Sequence, residues 1–194
     1  MRHDMIKHIG TSAIYTLVTV IAFGLIFPLA ITGIAQVLFP WQANGEIVTR
    51  DGTPIASALI GQLWTKPQYF HGRPSAAGKG YDPTSTGGTN LGPTSKKLID
   101  ATKATIAALK KENPGATVPV PMDLVTSSGS GIDPDISPAG AYYQAPRVAQ
   151  ARDVPLERVN ALIAKMTQPR TLGFLGEPRV NVLQLNLALD AEQR

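Results

Sequence analysis

Between Lys7 and Glu46 the chain carries no Asp, Glu, Lys or Arg. Inside that interval, residues 9–34 read IGTSAIYTLVTVIAFGLIFPLAITGI, longer than the ~20 apolar residues needed to cross a bilayer. A lone segment in hydrocarbon must satisfy its own backbone, and only a helix does so. The expected organisation is a short N-terminal segment (residues 1–10), a transmembrane helix (residues 11–35) and one domain (residues 36–194). Pro28 within the helix predicts a kink, because proline lacks the N–H and crowds the preceding turn. Tyr15 near one end and Phe39 and Trp41 near the other suit the aromatic belts of the two interfaces.

The short flanks set the expected orientation. Arg2 and Lys7 stand against Asp4 before the helix, whereas the first charges beyond it, Glu46, Arg50 and Asp51, show no basic excess. The positive-inside rule then expects the N-terminus in the cytoplasm and the domain outside. Gly33-Ile34-Ala35 before Gln36 has the small-x-small form of a signal-peptidase site, but the apolar run is long for a cleaved leader. It is therefore read as a retained anchor. The absence of cysteine excludes disulfides and a lipoprotein anchor.

The part beyond the anchor is long enough for one hydrophobic core without staples. Its basic residues outnumber acidic ones by only three, with no basic block, so it has no nucleic-acid footprint. Arg50-Asp51-Gly52-Thr53 between short apolar runs predicts a β-hairpin. Residues 59–64 read as a further short strand. Residues 66–93, dense in Gly, Pro, Ser and Thr, read as a long irregular loop, which in a compact domain is usually functional or interfacial. An amphipathic helix is expected over residues 94–112, with Leu98, Ala101, Ile106 and Leu109 on one face. Residues 118–125 offer an edge strand at best. Ser137-Pro138 predicts a capped helix start, and Pro146 a break or kink within that helix. A second helix begins near Pro155 with Leu156, Val159, Ile163 and Met166 together. Residues 179–190 alternate apolar and polar positions and read as a strand, with a helical tail as the alternative. The expected fold class is α+β.

No motif supplies a catalytic set. GRPSAAGKG at residues 72–80 has one residue too many for a Walker loop, and Gly80 stands where Ser or Thr would hold magnesium. Ser128-Gly129-Ser130-Gly131 has no serine with glycine at both minus two and plus two, so it is no nucleophile elbow. His71 is the only histidine outside the anchor region, and a hydrolase would depend on it alone. Asp133 and Asp135 lack the further carboxylates of a calcium loop; turn formation and capping explain them. Arg73, Arg147, Arg152 and Arg179 are of a type that ties down loop carbonyls or makes interfaces.

Several blocks, in order, nevertheless resemble one family. They are Thr32-Gly33-Ile34-Ala35-Gln36, Leu38-Phe39-Pro40-Trp41-Gln42-Ala43-Asn44-Gly45, Leu59-Ile60-Gly61-Gln62 and Tyr69-Phe70-His71-Gly72-Arg73-Pro74-Ser75-Ala76. Asn90-Leu91-Gly92-Pro93-Thr94, Ser128-Gly129-Ser130-Gly131-Ile132-Asp133-Pro134, Arg147-Val148-Ala149-Gln150-Ala151-Arg152 and Leu175-Gly176-Glu177-Pro178-Arg179-Val180-Asn181-Val182-Leu183 complete the series. Together they resemble the C subunits of Kdp potassium-transporting ATPases. Departures are small: Asp135 stands where many relatives have histidine, Thr89 where serine is usual, and Gln168-Pro169 replaces an acidic pair.

The resemblance implies a single-pass inner-membrane subunit working with a channel-like A subunit, a phosphorylated ATPase B subunit and a small F helix. ATP, magnesium and potassium would act at those other subunits. It implies no catalytic or metal-binding residue here. Two roles are associated with such subunits: assembling and stabilising the complex, and raising the ATP affinity of the B subunit as a catalytic chaperone. The second is linked to a nucleotide-binding signature, here Ser127, Ser128, Gly129, Ser130, Gly131 and Gln144. An outside domain cannot share a cytoplasmic ATP site, which favours the first role, with the domain over the outer potassium entrance. Thr32, Gly33, Gln36, Phe39, Gln42, Asn44, Tyr69, Phe70, Arg73 and Asn90 are then the expected subunit-interface residues. A membrane-anchored envelope hydrolase and a self-standing anchored binding module are the remaining alternatives.

Overall fold

The computed structural model describes residues 2–192; residue 1 and residues 193–194, the outer ends of the expected segments, lie outside the described residues. Two compact units divide between Ile55 and Ala56. In the first, α1 (Arg2–Thr19), a π-helical stretch (Val20–Ile26) and α2 (Phe27–Leu38) follow one another without interruption. Met5–Leu38, 34 residues, is long and apolar enough to cross a membrane, and none of its most apolar stretch is buried against the protein. At 1.5 Å per residue it spans roughly 50 Å, so it outruns both ends of the expected residues 11–35.

The regular α-helix gives way in the π-helical stretch immediately before Pro28. The proline ring would collide with the carbonyl four residues back. Widening the turn, seen where the Phe27 N–H reaches the Ala22 carbonyl, accommodates the ring and keeps the freed groups paired. Phe39, at φ −136°, breaks the helix, and a single turn α3 (Pro40–Ala43) follows. Next come β1 (Ile47–Arg50) and β2 (Thr53–Ser57), the expected hairpin. Asp51 and Gly52 at its turn have φ of 51° and 77°, the left-handed pair that a two-residue hairpin loop requires.

The second unit is α+β. It contains α4 (Lys96–Glu112), a 3-10 turn (Met122–Leu124), β3 (Asp135–Ile136), α5 (Pro138–Arg152), α6 (Leu156–Met166), β4 (Thr167–Gln168), β5 (Arg179–Asn181) and α7 (Val182–Glu192). The sheet order is β3-β5-β4, antiparallel throughout, with Ile136 opposite Val180 and Thr167 opposite the same residue. Helices α5, α6 and α7 enclose Val148, Val159, Ile163, Val180 and Leu185, all buried. α5 is capped as expected: the Ser137 hydroxyl accepts from the Gly140 N–H at 2.9 Å. The Asp123 carboxylate in turn accepts from Ser137 N at 2.7 Å and from its hydroxyl at 3.0 Å.

Four expectations are corrected. Residues 59–64 form no strand; Gly61 donates to the Ile132 carbonyl at 2.8 Å in an irregular crossing. A Cβ on Gly61 would meet the Tyr81 ring and, at 2.6 Å, the Asp133 carbonyl. Residues 118–125 contain the 3-10 turn in place of an edge strand. Pro146 does not break α5, which runs through it; a mid-helix proline costs about 3 kcal/mol, which the burial of eight residues of α5 outweighs. Finally, only Arg179–Asn181 is a strand, and the rest is α7. Asn181 caps it, its side-chain oxygen accepting from Gln184 N at 3.0 Å. The period-two pattern misleads because Val182, Leu183, Leu185, Asn186 and Leu189 are all buried, so apolar residues occupy several faces of the helix.

Candidate functional site

The long Gly/Pro/Ser/Thr loop carries no regular structure of its own, yet residues 66–71 are held carbonyl by carbonyl. Two buried amides clamp consecutive residues. Phe70 N donates to Asn186 Oδ1 at 2.9 Å, and Asn186 Nδ2 donates back to the Phe70 carbonyl at 3.0 Å. His71 N donates to Gln144 Oε1 at 2.8 Å, and Gln144 Nε2 donates back to the His71 carbonyl at 3.0 Å. Each amide does what a neighbouring β-strand would do. The Arg147 guanidinium donates to the carbonyls of Pro67 (2.6 Å) and Tyr69 (3.0 Å), to Gln144 Oε1 (2.8 Å) and to Asn113 Oδ1 (3.0 Å). Arg152 donates to the Gln68 carbonyl at 2.7 Å and to Asp190 at 2.9 Å, with its guanidinium 4.9 Å from the Tyr69 ring centre. Arg147 and Arg152 thus tie down loop carbonyls, as their residue type suggested.

Beyond His71 the same strand-like segment reaches the Ser/Gly stretch. Arg73 pairs with Asp133 at 2.9 Å and donates to the Thr126 and Ser127 carbonyls at 3.4 Å. The Ser75 hydroxyl donates to the Gly131 carbonyl at 2.5 Å. Ser128 Oγ accepts from Gly131 N at 2.8 Å, and the Ser130 carbonyl accepts from Gly87 N at 2.8 Å. Gly131, at φ 72°, lies so close to Ala77 and the Gly87 carbonyl that a Cβ would stand 2.7–2.8 Å from them. Gln144 and residues 127–131 are therefore joined through one segment, but their polar atoms named here are engaged with protein partners. Asp133 makes the expected turn, accepting from Asp135 N at 3.0 Å, and Asp135 pairs with Arg179 at 3.1 Å.

Of the expected interface residues, Thr32, Gly33, Gln36, Phe39, Gln42, Asn44 and Asn90 are exposed. Gln36 and Asn44 exchange amide hydrogen bonds at 3.1 and 3.4 Å. Tyr69 and Arg73 are half-buried in the contacts above. Phe70 is a correction: it is fully buried in the core, so its side chain offers no surface to a partner. Asn113, Asn181 and Asn186 are buried anchors that pattern reading passed over. For Asn181 and Asn186 the signal was there, since an amide inside an apolar run must find buried partners.

A cleft of about 540 Å³ lies beside this segment, lined by Trp64, His71, Lys79, Tyr81, Leu109 and Glu112 among others. Burial, and then the Asp133 charge, push the Tyr81 phenol up to about 12, so it stays a donor, to the Arg73 carbonyl at 2.6 Å. Burial and then the Arg147 charge lower the His71 pKa below its ordinary 6.5. His71 Nε2 lies 3.1 Å from the Lys66 carbonyl and Nδ1 3.7 Å from Glu112. The neutral ring donating from Nε2 fits these contacts, and its lowered pKa gives it no advantage as a base. A group whose pKa falls on folding contributes stability above its unfolded value that is lost as pH drops through the folded one. The melting temperature should therefore decline as pH falls below 6.5, and His71→Gln should flatten that decline in a pH series. Among the described residues no three His, Asp or Glu side chains converge as a metal site would require.

A family model described as K+-transporting ATPase, c chain, matches residues 9–191. A potassium-transporting ATPase KdpC subunit of Caulobacter vibrioides is 54% identical over 188 residues, covering 96% of this chain and 94% of the relative. The subunit of the same name from Koribacter versatilis is 51% identical over 97% of each chain. That of Rhodospirillum rubrum is 58% identical over 86% of each.

Proposed function

The chain belongs to the KdpC family, the c chains of K+-transporting ATPases, and on that premise we propose how it serves the pump. It is a component of a potassium-transporting ATPase, anchored in the membrane by its apolar helix, and not an enzyme alone. The proposed role is that of a non-catalytic accessory subunit. The helix crosses the inner membrane with the N-terminus in the cytoplasm. The domain lies outside, over the potassium entrance of the A subunit, and stabilises the assembly with the A, B and F subunits.

One observation carries this reading: the side chains that would attract a catalytic assignment are consumed in holding the loop. Gln144 uses its amide on His71, Gly140 and Arg147, and His71 is half-buried among contacts to Lys66 and Glu112. Such strapping makes a stiff block suited to contact rather than turnover. The catalytic-chaperone alternative would have to act as a coupling across the membrane, because an outer domain meets no ATP. An envelope hydrolase would rest on His71, whose ring is engaged as described. Purification through a tag on this chain in mild detergent should bring down the A and B subunits in stoichiometric yield. Recovery of the chain alone would sink the accessory role.

A further inference from the structure

Arginine and lysine divide their work in the second unit. Arg73, Arg147, Arg152, Arg158, Arg170 and Arg179 each hold a carboxylate, a side-chain amide or a backbone carbonyl of the chain itself. Five of the chain's nine lysines stand instead on α4, at positions 96, 97, 103, 110 and 111, and all five are exposed. Lys96 pairs with Asp100 at 2.6 Å. Lys97, Lys103, Lys110 and Lys111 have no ion-pair partner among the described residues.

Helix geometry gathers these lysines on one side. At about 100° per residue they fall within roughly 140° of arc, facing away from Leu98, Ile106 and Leu109. Those three are half-buried, and no residue of α4 is fully buried, so the helix rests on the unit by one face only. The charge is concentrated as well. Outside α4, residues 56–192 carry nine basic and nine acidic side chains, whereas α4 sets its five lysines against Asp100 and Glu112. The whole positive excess of the unit therefore sits on one helix.

We propose that the lysine face of α4 binds the headgroups of anionic phospholipids in the bilayer that holds the anchor. Two observations select lipid over an acidic protein surface. Only residues 39–55 separate the end of the apolar helix from the second unit. Even fully extended, that tether reaches about 60 Å, which keeps the lysines at high effective concentration near the membrane. The face is also lysine throughout. A fixed carboxylate partner favours the planar fork of arginine, whereas lysine is a flexible point charge. Several such charges suit diffuse headgroups, and their attraction fades within a Debye length. Ile99, 42% exposed, lies beside Lys96 and Lys103 at helical spacing and offers an apolar contact at the acyl boundary. The contact needs the anchor, but neither a particular side of the membrane nor the other subunits.

The test uses the full chain in bilayer nanodiscs. Ala107→Cys, exposed within the lysine face of a chain without other cysteines, carries an environment-sensitive fluorophore. Adding phosphatidylglycerol to phosphatidylcholine should shift its emission to the blue and shield it from acrylamide, and about 0.5 M salt should reverse both effects. Replacing Lys97, Lys103, Lys110 and Lys111 together by Gln should raise the phosphatidylglycerol content needed for half the shift at least about fivefold, at an unchanged melting temperature. Lys66→Gln with Lys165→Gln should leave it where it was. Emission indifferent to phosphatidylglycerol, to salt or to the four lysines would overturn the assignment. So would an equal effect of the Lys66 and Lys165 pair, which would trace the attraction to net charge alone. A shift that arises in pure phosphatidylcholine, and only on assembly with other subunits, would give the face to an acidic protein surface and overturn it too.

Discussion

Arg147→Ala should destabilise the second unit by about 3–5 kcal/mol, the range for removing one partner of a buried charged network, and lower its melting temperature by roughly 10 °C. Arg147 is 9% exposed, and its guanidinium meets the Pro67 and Tyr69 carbonyls, Asn113 and Gln144. Truncation strands the buried Asn113 and Gln144 side chains, and an unsatisfied buried group costs its full desolvation penalty. Burial already lowers the Arg147 pKa; those acceptors are what make the buried charge tolerable. Arg147→Lys cannot reproduce the fork and should recover only part of the loss. Tryptophan fluorescence melting of the full chain in detergent reads the effect. As a control, Arg158→Ala, which breaks the exposed pair with Glu192, should barely move it. Equal melting of Arg147→Ala and wild type would show that the loop is not strapped as described.

The second large effect is on the pump. Deleting residues 40–194 leaves the apolar helix, whose last residue is Leu38, and removes the strapped block. If the block is the working part, potassium-stimulated ATP hydrolysis by the purified complex should fall to background. The anchor alone should still be sought by immunoblot in the purified material. Its presence beside an inactive A and B pair would separate a missing outer domain from a complex that never assembled. Full activity without residues 40–194 would reduce this chain to its helix and end the proposed role.

Much of this was legible in the residues, and the failures share one cause. The anchor needed only the charge-free interval, and the hairpin only Asp51-Gly52. The caps at Ser137 and the amphipathic α6 followed from local chemistry. What went unread was tertiary: Pro146 is tolerated because α5 is buried along most of its length, and residues 182–192 are helical because they are surrounded. Phe70 looked like an interface aromatic until the clamp by Asn186 placed it in the core. The partners of Gln144 and Asn186 lie 73 and 116 residues away, and no local pattern reports such pairings. The arginines were the exception, since a guanidinium with five donors near a loop without secondary structure had an obvious use.

The placement of the domain outside the membrane is the claim on which the role depends. Ser130 is exposed and the chain has no cysteine, so Ser130→Cys gives a single reporter in the loop once linked to nucleotide binding. With the complex expressed in intact cells, a membrane-impermeant maleimide should label it fully before lysis. Protection until the membrane is broken would put the domain in the cytoplasm, contradict the lid over the potassium entrance and return residues 127–131 to the reach of ATP.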